Sequence, residues 1–209
     1  MYEINEKLNQ LDEEKKLKII NAGMEYFGKF GYKKANTEDI AKKAGISKGL
    51  LFYYFRNKRS FYFYLWEYCQ NVMNKEMNNE EFESITDFFE LIDYGTKIKL
   101  KIFMKYPFMT EFVLDLFMTK DQNICDNTDK MMTEMIDSSF DIYFRNIDFS
   151  PFKNDVDPKQ IYRMIIYMSE GYIIEKKREK IPLDFEEMID EFNIWKEMFK
   201  KMSYKEEYI

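Results

Sequence analysis

The chain has 209 residues, of which 45% are hydrophobic, so it can bury a core as one compact domain or as a small module joined to a larger one. Charges interrupt every hydrophobic segment, which excludes a membrane span, and two cysteines without a leader segment fit a soluble protein of the reducing cytoplasm. The chain has no histidine, no glycine-rich phosphate loop and no cysteine cluster, so an enzyme, a metal site and a cofactor are all disfavoured.

The net charge of -6 is unevenly divided along the chain. Residues 1–60 hold 13 Lys or Arg against 8 Asp or Glu, a balance of +5, whereas the remainder holds 19 against 30, a balance of -11. A basic end can meet nucleic-acid phosphates while an acidic body keeps the protein soluble and limits loose adhesion to DNA.

The first helices are predicted from apolar spacing and capping residues. Only 7 Gly and 4 Pro leave few helix breakers, which favours an all-α protein with short connections. A first helix is predicted from Leu11 to Phe30, closed by Gly31. Thr37 is the predicted N-cap of a two-turn helix that ends at Gly45. Ser47 is the predicted N-cap of the next helix, Lys48 to Phe55.

The remainder of the chain is predicted to form longer helices, for about nine helices in all. Their expected bounds are Asn57 to Met77, Ser84 or Thr86 to Tyr106, Pro107 to Thr119, Asn127 to Asn146, Pro158 to about Lys177, and Leu183 to Lys201. We therefore expect a DNA-binding domain of three helices at residues 1–60 and a larger helical domain at residues 61–209.

The stretch from Thr37 to Tyr54 meets the physical requirements of a helix-turn-helix. Ala41 lets two helices cross closely and Gly45 supplies the turn. Apolar residues at four further positions pin the pair into one small core: Ile40, Ala44, Ile46 and Leu51.

The run from Lys16 to Trp66, and above all AGISKGLLFYYFRNK from Ala44 to Lys58, resembles the DNA-binding domain of TetR-family transcriptional regulators. The resemblance implies that the second short helix enters the major groove while its neighbours grip phosphates. It also implies a homodimer, a C-terminal domain that binds an inducer, and repression that the inducer relieves.

The resemblance assigns DNA contacts by position. Lys48 reads a base edge or a phosphate, Gly49 allows close backbone approach, and Tyr53 and its neighbour add hydroxyl and ring contacts to the DNA backbone. Phe52 stands where tyrosine is usual and Leu50 where a small hydroxyl residue is frequent, so the operator sequence stays unpredicted. The full predicted set is Thr37, Lys48, Gly49, Leu50, Phe52, Tyr53, Tyr54 and Lys58. General electrostatic attraction is expected from Lys42, Lys43, Arg56 and Arg59.

The second predicted domain is rich in methionine and aromatic residues, which adapt to ligands of different shapes. A small apolar or flat aromatic effector is therefore the expected ligand, although such residues are more often simply core. The candidate effector residues are Phe103, Phe108, Phe112, Phe117, Met131, Phe140, Tyr143 and Met168.

The last two helices are, by resemblance, the dimer interface. Dimerisation also follows from function, because one short recognition helix reads too few base pairs whereas two read a palindrome. The candidate interface residues are Met164, Met168, Tyr172, Phe192, Trp195 and Phe199.

Two alternatives remain open. In the first, the protein binds DNA but its C-terminal domain is a dimerisation or partner-protein platform without a small-molecule effector. In the second, the chain is an α-helical enzyme, which would need converging titratable groups. The carboxylates available for this second alternative are Glu111, Asp115, Asp141, Glu170 and Glu175.

Overall fold

The computed structural model describes residues 5–77, 79–119, 124, 134 and 136–209. Regular structure in these ranges is helical, which confirms the all-α prediction, and the β-type pairing there is a single bridge between Phe152 and Tyr204. None of the described helices is both long and apolar enough to cross a bilayer.

The helices follow the predicted order, with the addition of one short helix, Glu80–Ser84, in a stretch where none was predicted. Their bounds are α1 (Glu13–Lys34), α2 (Thr37–Lys43), α3 (Lys48–Phe55), α4 (Lys58–Met77), α5 (Glu80–Ser84), α6 (Phe88–Lys105), α7 (Pro107–Met118), α8 (136–143), α9 (Pro158–Glu179) and α10 (Phe185–Ser203). Short 3-10 turns occupy Glu6–Gln10 and Glu206–Tyr208. Most of the helix predicted from Asn127 to Asn146 lies outside the described residues, and α8 is its described part.

Two glycines make the predicted turns. Gly31 has φ 72° and interrupts α1, after which one further helical turn runs to Lys34. Gly45 has φ 73° and separates α2 from α3. Both residues adopt positive φ at no steric cost because they lack a Cβ atom, which confirms the predicted positions of the two turns.

Two capping predictions were wrong. Thr37 is the first residue of α2 and is buried, whereas Asn36 is the N-cap and accepts a hydrogen bond from the Glu38 N–H at 2.9 Å. Neither Ser84 nor Thr86 caps α6. The cap is Asp87, whose side chain accepts hydrogen bonds from the N–H groups of Phe89 and Glu90, each at 2.9 Å. Asn and Asp match or exceed Thr and Ser at such positions, so a choice between adjacent polar residues rests on backbone geometry.

Contacts divide the chain into two compact units. Unit 1 comprises Met1–Met77 and Lys101–Met131, and unit 2 comprises Asn78–Leu100 and Met132–Ile209. The domain boundary predicted after residue 60 remains a prediction, and it does not coincide with the division by contacts, because the helix-turn-helix lies in unit 1 together with α4 and α7. Cooperative packing in unit 1 therefore extends well beyond the first sixty residues.

Unit 1 is built on the close packing of α1 against α7 and α4. The Phe27 ring is fully buried and meets the Tyr62 ring edge-on at 5.0 Å between centroids. The Phe112 ring of α7 is also fully buried and lies 5.0 Å from the Tyr62 ring. Gly28 permits this approach, because a Cβ there would lie 2.8 Å from backbone atoms of α7.

Unit 2 has a core of aromatic rings contributed by distant parts of the chain. Phe152 and Tyr204 pack edge-on at 4.9 Å, and Phe88 meets Phe152 at 5.1 Å. The Tyr204 hydroxyl donates to Asp87 at 3.0 Å, which satisfies a polar group that would be costly to bury unpaired. The Lys196 ammonium pairs with the Asp93 carboxylate at 2.8 Å and so joins α10 to α6.

Candidate nucleic-acid interface

The helix-turn-helix has the small apolar core that the sequence predicted. Ile40, Ala41 and Leu51 are at most 1% exposed, and Ala44 is buried beside them. Ile46 is half-buried, and its N–H donates to the Ala41 carbonyl at 3.0 Å, which closes the turn. These contacts hold α2 and α3 in a defined mutual orientation.

Helix α3 begins at its predicted cap. The Ser47 hydroxyl accepts a hydrogen bond from the Leu50 N–H at 3.1 Å, and Ser47 has the extended backbone expected of an N-cap. The cap determines where α3 starts and therefore which side chains stand on its outer face.

The outer face of α3 carries most of the predicted DNA contacts. Lys48 and Gly49 are exposed, Leu50 is 37% exposed and Tyr53 is 46% exposed. Phe52 is half-buried at the edge of this face. These residues form a continuous surface on one short helix, as recognition by a groove-binding helix requires.

Two predicted contact residues are less accessible than the sequence suggested. Tyr54 is 8% exposed because it lies on the inner side of α3 beside Leu51 and Phe55. Thr37 is also 8% exposed, at the start of α2. A helical period of 3.6 residues turns Tyr53 outward and Tyr54 inward, which the motif alone did not distinguish.

Lys58 is held in place by α1. Asn57 caps α4 by accepting a hydrogen bond from the Ser60 N–H at 2.8 Å, which puts Lys58 in the first turn. The Lys58 ammonium donates to the Lys33 carbonyl at 3.3 Å and lies 5.0 Å from the centre of the Tyr32 ring. Carbonyls at a helix C-terminus attract cations, so the ammonium has a defined place at the end of α1.

Two other basic residues of unit 1, Lys48 and Lys43, lie beside glutamate side chains. Lys48 lies 3.9 Å from the Glu38 carboxylate, and both side chains are exposed. Lys43 pairs with Glu25 at 3.3 Å. Exposed pairs of this kind contribute little to stability, so replacing such a partner with a phosphate costs little.

One further basic residue lies beside α3 and was not among the residues predicted from the sequence. Lys7, in the 3-10 turn before α1, lies with its ammonium 5.7 Å from the centre of the Tyr53 ring. The two residues are 46 positions apart, and no motif links them. Only the packing of the N-terminal turn against α3 reveals the pair.

The predicted effector residues lie in both units. Phe112 is part of the unit 1 core, whereas Phe108 is 38% exposed and Phe103 is half-buried. In unit 2, Phe140 stacks on Phe144 at 4.8 Å and Tyr143 meets Phe82 edge-on at 5.9 Å. Met168 of α9 is 37% exposed. The Phe117 side chain and Met131 lie outside the described residues.

The predicted dimer residues divide into two groups. Phe192 and Phe199 are buried within a single chain, so packing inside unit 2 already accounts for them. Met164, Tyr172 and Trp195 are half-buried, and the Tyr172 and Trp195 rings meet edge-on at 5.9 Å. The sixth residue, Met168, is among the exposed apolar residues noted above.

The carboxylates of the enzyme alternative are engaged in ordinary contacts. Asp141 is exposed and pairs with Lys159 at 3.3 Å, and Glu175 is exposed beside Arg178. In unit 1 the Tyr62 hydroxyl donates to Asp115 at 3.5 Å, and Glu111 is exposed. Burial raises the pKa of the Glu170 carboxyl.

The helix-turn-helix region matches a known family. Residues 19–65 match the model described as bacterial regulatory proteins, tetR family. The HTH-type transcriptional regulator RutR of Escherichia coli is 30% identical over 95 residues, which are 44% of this chain and 43% of RutR. The matched region thus spans less than half the length of this curated relative.

Two solved structures share the fold over most of the chain. The fatty acid degradation regulator FadR from Bacillus halodurans has 15% identity and a TM-score of 0.70, over 90% of this chain and 98% of that chain. The transcriptional regulator FadR from Bacillus subtilis, solved in complex with stearoyl-CoA, has 15% identity and a TM-score of 0.65, over 88% and 96%. At such identities the likeness establishes the fold alone.

Proposed function

We propose that this chain is a transcriptional regulator of the TetR type that binds double-stranded DNA, which the match of residues 19–65 to the tetR family model supports. The observation that carries the proposal is the outer face of α3, where Lys48, Leu50 and Tyr53 stand outward from a buried core. A helix presented in this way fits the major groove, where side chains reach base edges. The positive balance of residues 1–60 supports the same partner.

We expect the protein to bind a palindromic operator as a homodimer, because one copy of α3 reads too few base pairs. An apolar stripe on two helices that pack together, α9 and α10, supports this assembly. Its exposed members at helical spacing are Tyr167 and Ile174 on α9, and Ile194, Met198 and Met202 on α10. A second copy would remove this surface from water, which stabilises association.

We propose further that a small effector with an apolar or aromatic portion releases the operator, so that the protein acts as a repressor. The Bacillus subtilis FadR complex supports a long acyl chain as one form of such an effector, since that protein has the same fold. Residues that remain candidates for contact are Phe103 and Phe108 in unit 1, and Phe140, Tyr143 and Met168 in unit 2. An effector acts by binding more tightly to the form that does not bind DNA.

The competing proposal keeps DNA binding and omits the effector. Thermal unfolding in the presence of stearoyl-CoA, of free stearate and of flat aromatic compounds distinguishes the two. A true ligand of the native state raises the unfolding midpoint progressively with concentration. No shift with any compound favours a C-terminal domain that only dimerises or binds a partner protein.

The experiment that tests the central proposal is selection of bound duplexes from a random pool at near-physiological salt, followed by sequencing. We expect enrichment of a palindrome whose half-sites are about 34 to 36 Å apart, one helical turn of DNA. A triple variant, Lys48→Ala with Leu50→Ala and Tyr53→Ala, serves as control because it alters the outer face of α3 and leaves its buried side intact. Equal enrichment with the variant, or retention without any sequence preference, would contradict the proposal.

A further inference from the structure

The N-terminal turn is fastened to the end of α3. The Asn5 N–H donates to the Tyr54 carbonyl at 2.8 Å, in the last turn of α3, where carbonyls have no partner within the helix. Leu8, one helical turn later, is 1% exposed. The segment is thus held in place before Lys7 by the backbone hydrogen bond of Asn5 and after Lys7 by the buried Leu8 side chain.

The local structure of the turn then directs Lys7 outward. The Asn5 side chain accepts a hydrogen bond from the Lys7 N–H at 3.0 Å, which starts the 3-10 turn Glu6–Gln10. Leu8 points into the core, and Lys7 is exposed. Its position is therefore set by backbone and core contacts rather than by its own side chain.

Lys7 places a cation beside the last turn of α3, which contains no basic residue of its own. Within α3 itself Lys48 is the basic residue, at the first position, and no basic residue lies in the last turn. Tyr53 is five residues further on, about 7.5 Å along the helix axis. The Lys7 ammonium lies 5.7 Å from the centre of the Tyr53 ring, so cations flank the outer face of α3 at both ends.

The side chains of this pair also interact electrostatically. Hydrogen bonding with Tyr53 raises the pKa of Lys7, and hydrogen bonding with Lys7 lowers the pKa of Tyr53. Lys7 therefore carries its charge at neutral pH, and the Tyr53 side chain beside it is exposed. An ammonium and a hydroxyl that converge from two different elements are suited to one anionic oxygen of a phosphate group.

We propose that Lys7 binds a phosphate of the DNA backbone, that Tyr53 donates its hydroxyl to the same phosphate, and that the turn Asn5–Leu11 is thus a part of the DNA interface. This inference rests on the proposed DNA-binding function and adds a contact element outside the helix-turn-helix. A phosphate contact strengthens binding to every sequence and positions α3 in its groove without reading bases.

Binding of a labelled duplex, followed by fluorescence anisotropy over a series of salt concentrations, tests the proposal with the full chain. The duplex is one retained in the selection described above, or one of arbitrary sequence if none is enriched. We expect Lys7→Ala to weaken binding several-fold and to reduce the slope of log K against log salt by about 0.9 for each chain on the duplex, or about 1.8 for a bound homodimer, because every chain loses one phosphate contact. Lys7→Arg, which keeps the charge, should preserve the slope.

A matched control removes a lysine from the same unit at a distant point. Lys75 is exposed near the far end of α4, about 26 Å along the helix from Lys58, so Lys75→Ala changes net charge equally without touching the interface. In a double-mutant cycle, Lys7→Ala should cost less in a Tyr53→Phe background than in the wild type, because both groups serve one phosphate.

The outcomes separate this inference from the function on which it rests. If Lys7→Ala behaves like Lys75→Ala while Lys58→Ala weakens binding, the N-terminal turn is outside the interface and only this inference fails. If the wild-type chain binds no duplex at any salt concentration, the proposed function fails as well. Unfolding midpoints of the two lysine variants should match that of the wild type, since both side chains are exposed.

Discussion

Gly28 of α1 lies against the backbone of Glu111 in α7, so closely that an added Cβ would be 2.8 Å from the Glu111 carbonyl carbon. The Phe112 backbone nitrogen would be equally close. Neither atom belongs to a side chain that can rotate away, so any larger residue must push the two helices apart. The close packing of α7 on α1 therefore requires glycine at residue 28.

Gly28→Ala should destabilise the protein by about 1–3 kcal/mol, the usual cost of overpacking a close contact. Thermal or urea unfolding measures the loss. Gly49→Ala is the control, because its Cβ would meet only the Ser47 hydroxyl oxygen at 3.9 Å on an exposed helical turn. That variant should be neutral or gain about 0.5–1 kcal/mol. Equal stability of the two variants would show that α1 and α7 are not in contact at Gly28.

Lys58→Ala should weaken binding to all duplex sequences and lower the salt slope by about 0.9 for each bound chain, because we expect Lys58 to contact a phosphate of the DNA backbone. Lys48→Ala should also relax sequence preference, since Lys48 stands at the start of the outer face of α3. Anisotropy titrations with the selected operator and with a scrambled duplex measure both effects. Unchanged binding in both variants would remove these residues from the interface.

Met198→Glu should dissociate the proposed homodimer, because a charge in an apolar interface loses hydration without gaining a partner. Met198 is 65% exposed in the single chain, so the substitution should leave the fold intact. Sedimentation velocity should report the mass of one chain instead of two. The control is Met104→Glu, at a methionine of α6 that is 77% exposed and is not a member of the stripe on α9 and α10. A dimer that survives the Met198 substitution would mean that another surface joins the chains.

Glu170→Gln should stabilise the protein increasingly as pH rises above 4.5, until the pH exceeds the raised folded-state pKa of Glu170. Burial raises the folded-state pKa of the Glu170 carboxyl above its usual value of 4.5, so the folded chain holds this proton more tightly than the unfolded chain does. The stability linked to this proton is present below the unfolded-state pKa and is lost as pH rises through the folded-state pKa. The uncharged amide avoids that loss.

Unfolding midpoints across this pH range measure the effect of the Glu170 substitution. Glu179→Gln, at the exposed end of the same helix, should give a small and pH-independent change. If the gain from Glu170→Gln were the same at every pH, desolvation of the carboxylate would not be its cause.

The helix-turn-helix could be predicted from the sequence because its signals act over a few residues. Gly31 and Gly45 take positive φ, and Ser47 caps α3 through a bond to a residue three positions away. Such interactions depend only on residues close together in the chain, so they can be predicted from the sequence without knowledge of the tertiary structure. The same reasoning chose Thr37 over Asn36, since two adjacent polar residues offer similar caps and only the backbone decides between them.

Contacts between distant residues were decided by the tertiary structure alone. Lys7 meets Tyr53 across 46 positions, Gly28 meets Glu111 across 83, and the rotation of α3 turns Tyr54 inward while Tyr53 faces out. Helical periodicity, capping and turn residues are local properties, so the sequence was sufficient to predict the all-α class and the positions of α2 and α3. Which side chains of those helices meet, and which remain for DNA or for a second copy, depends on how separate helices pack.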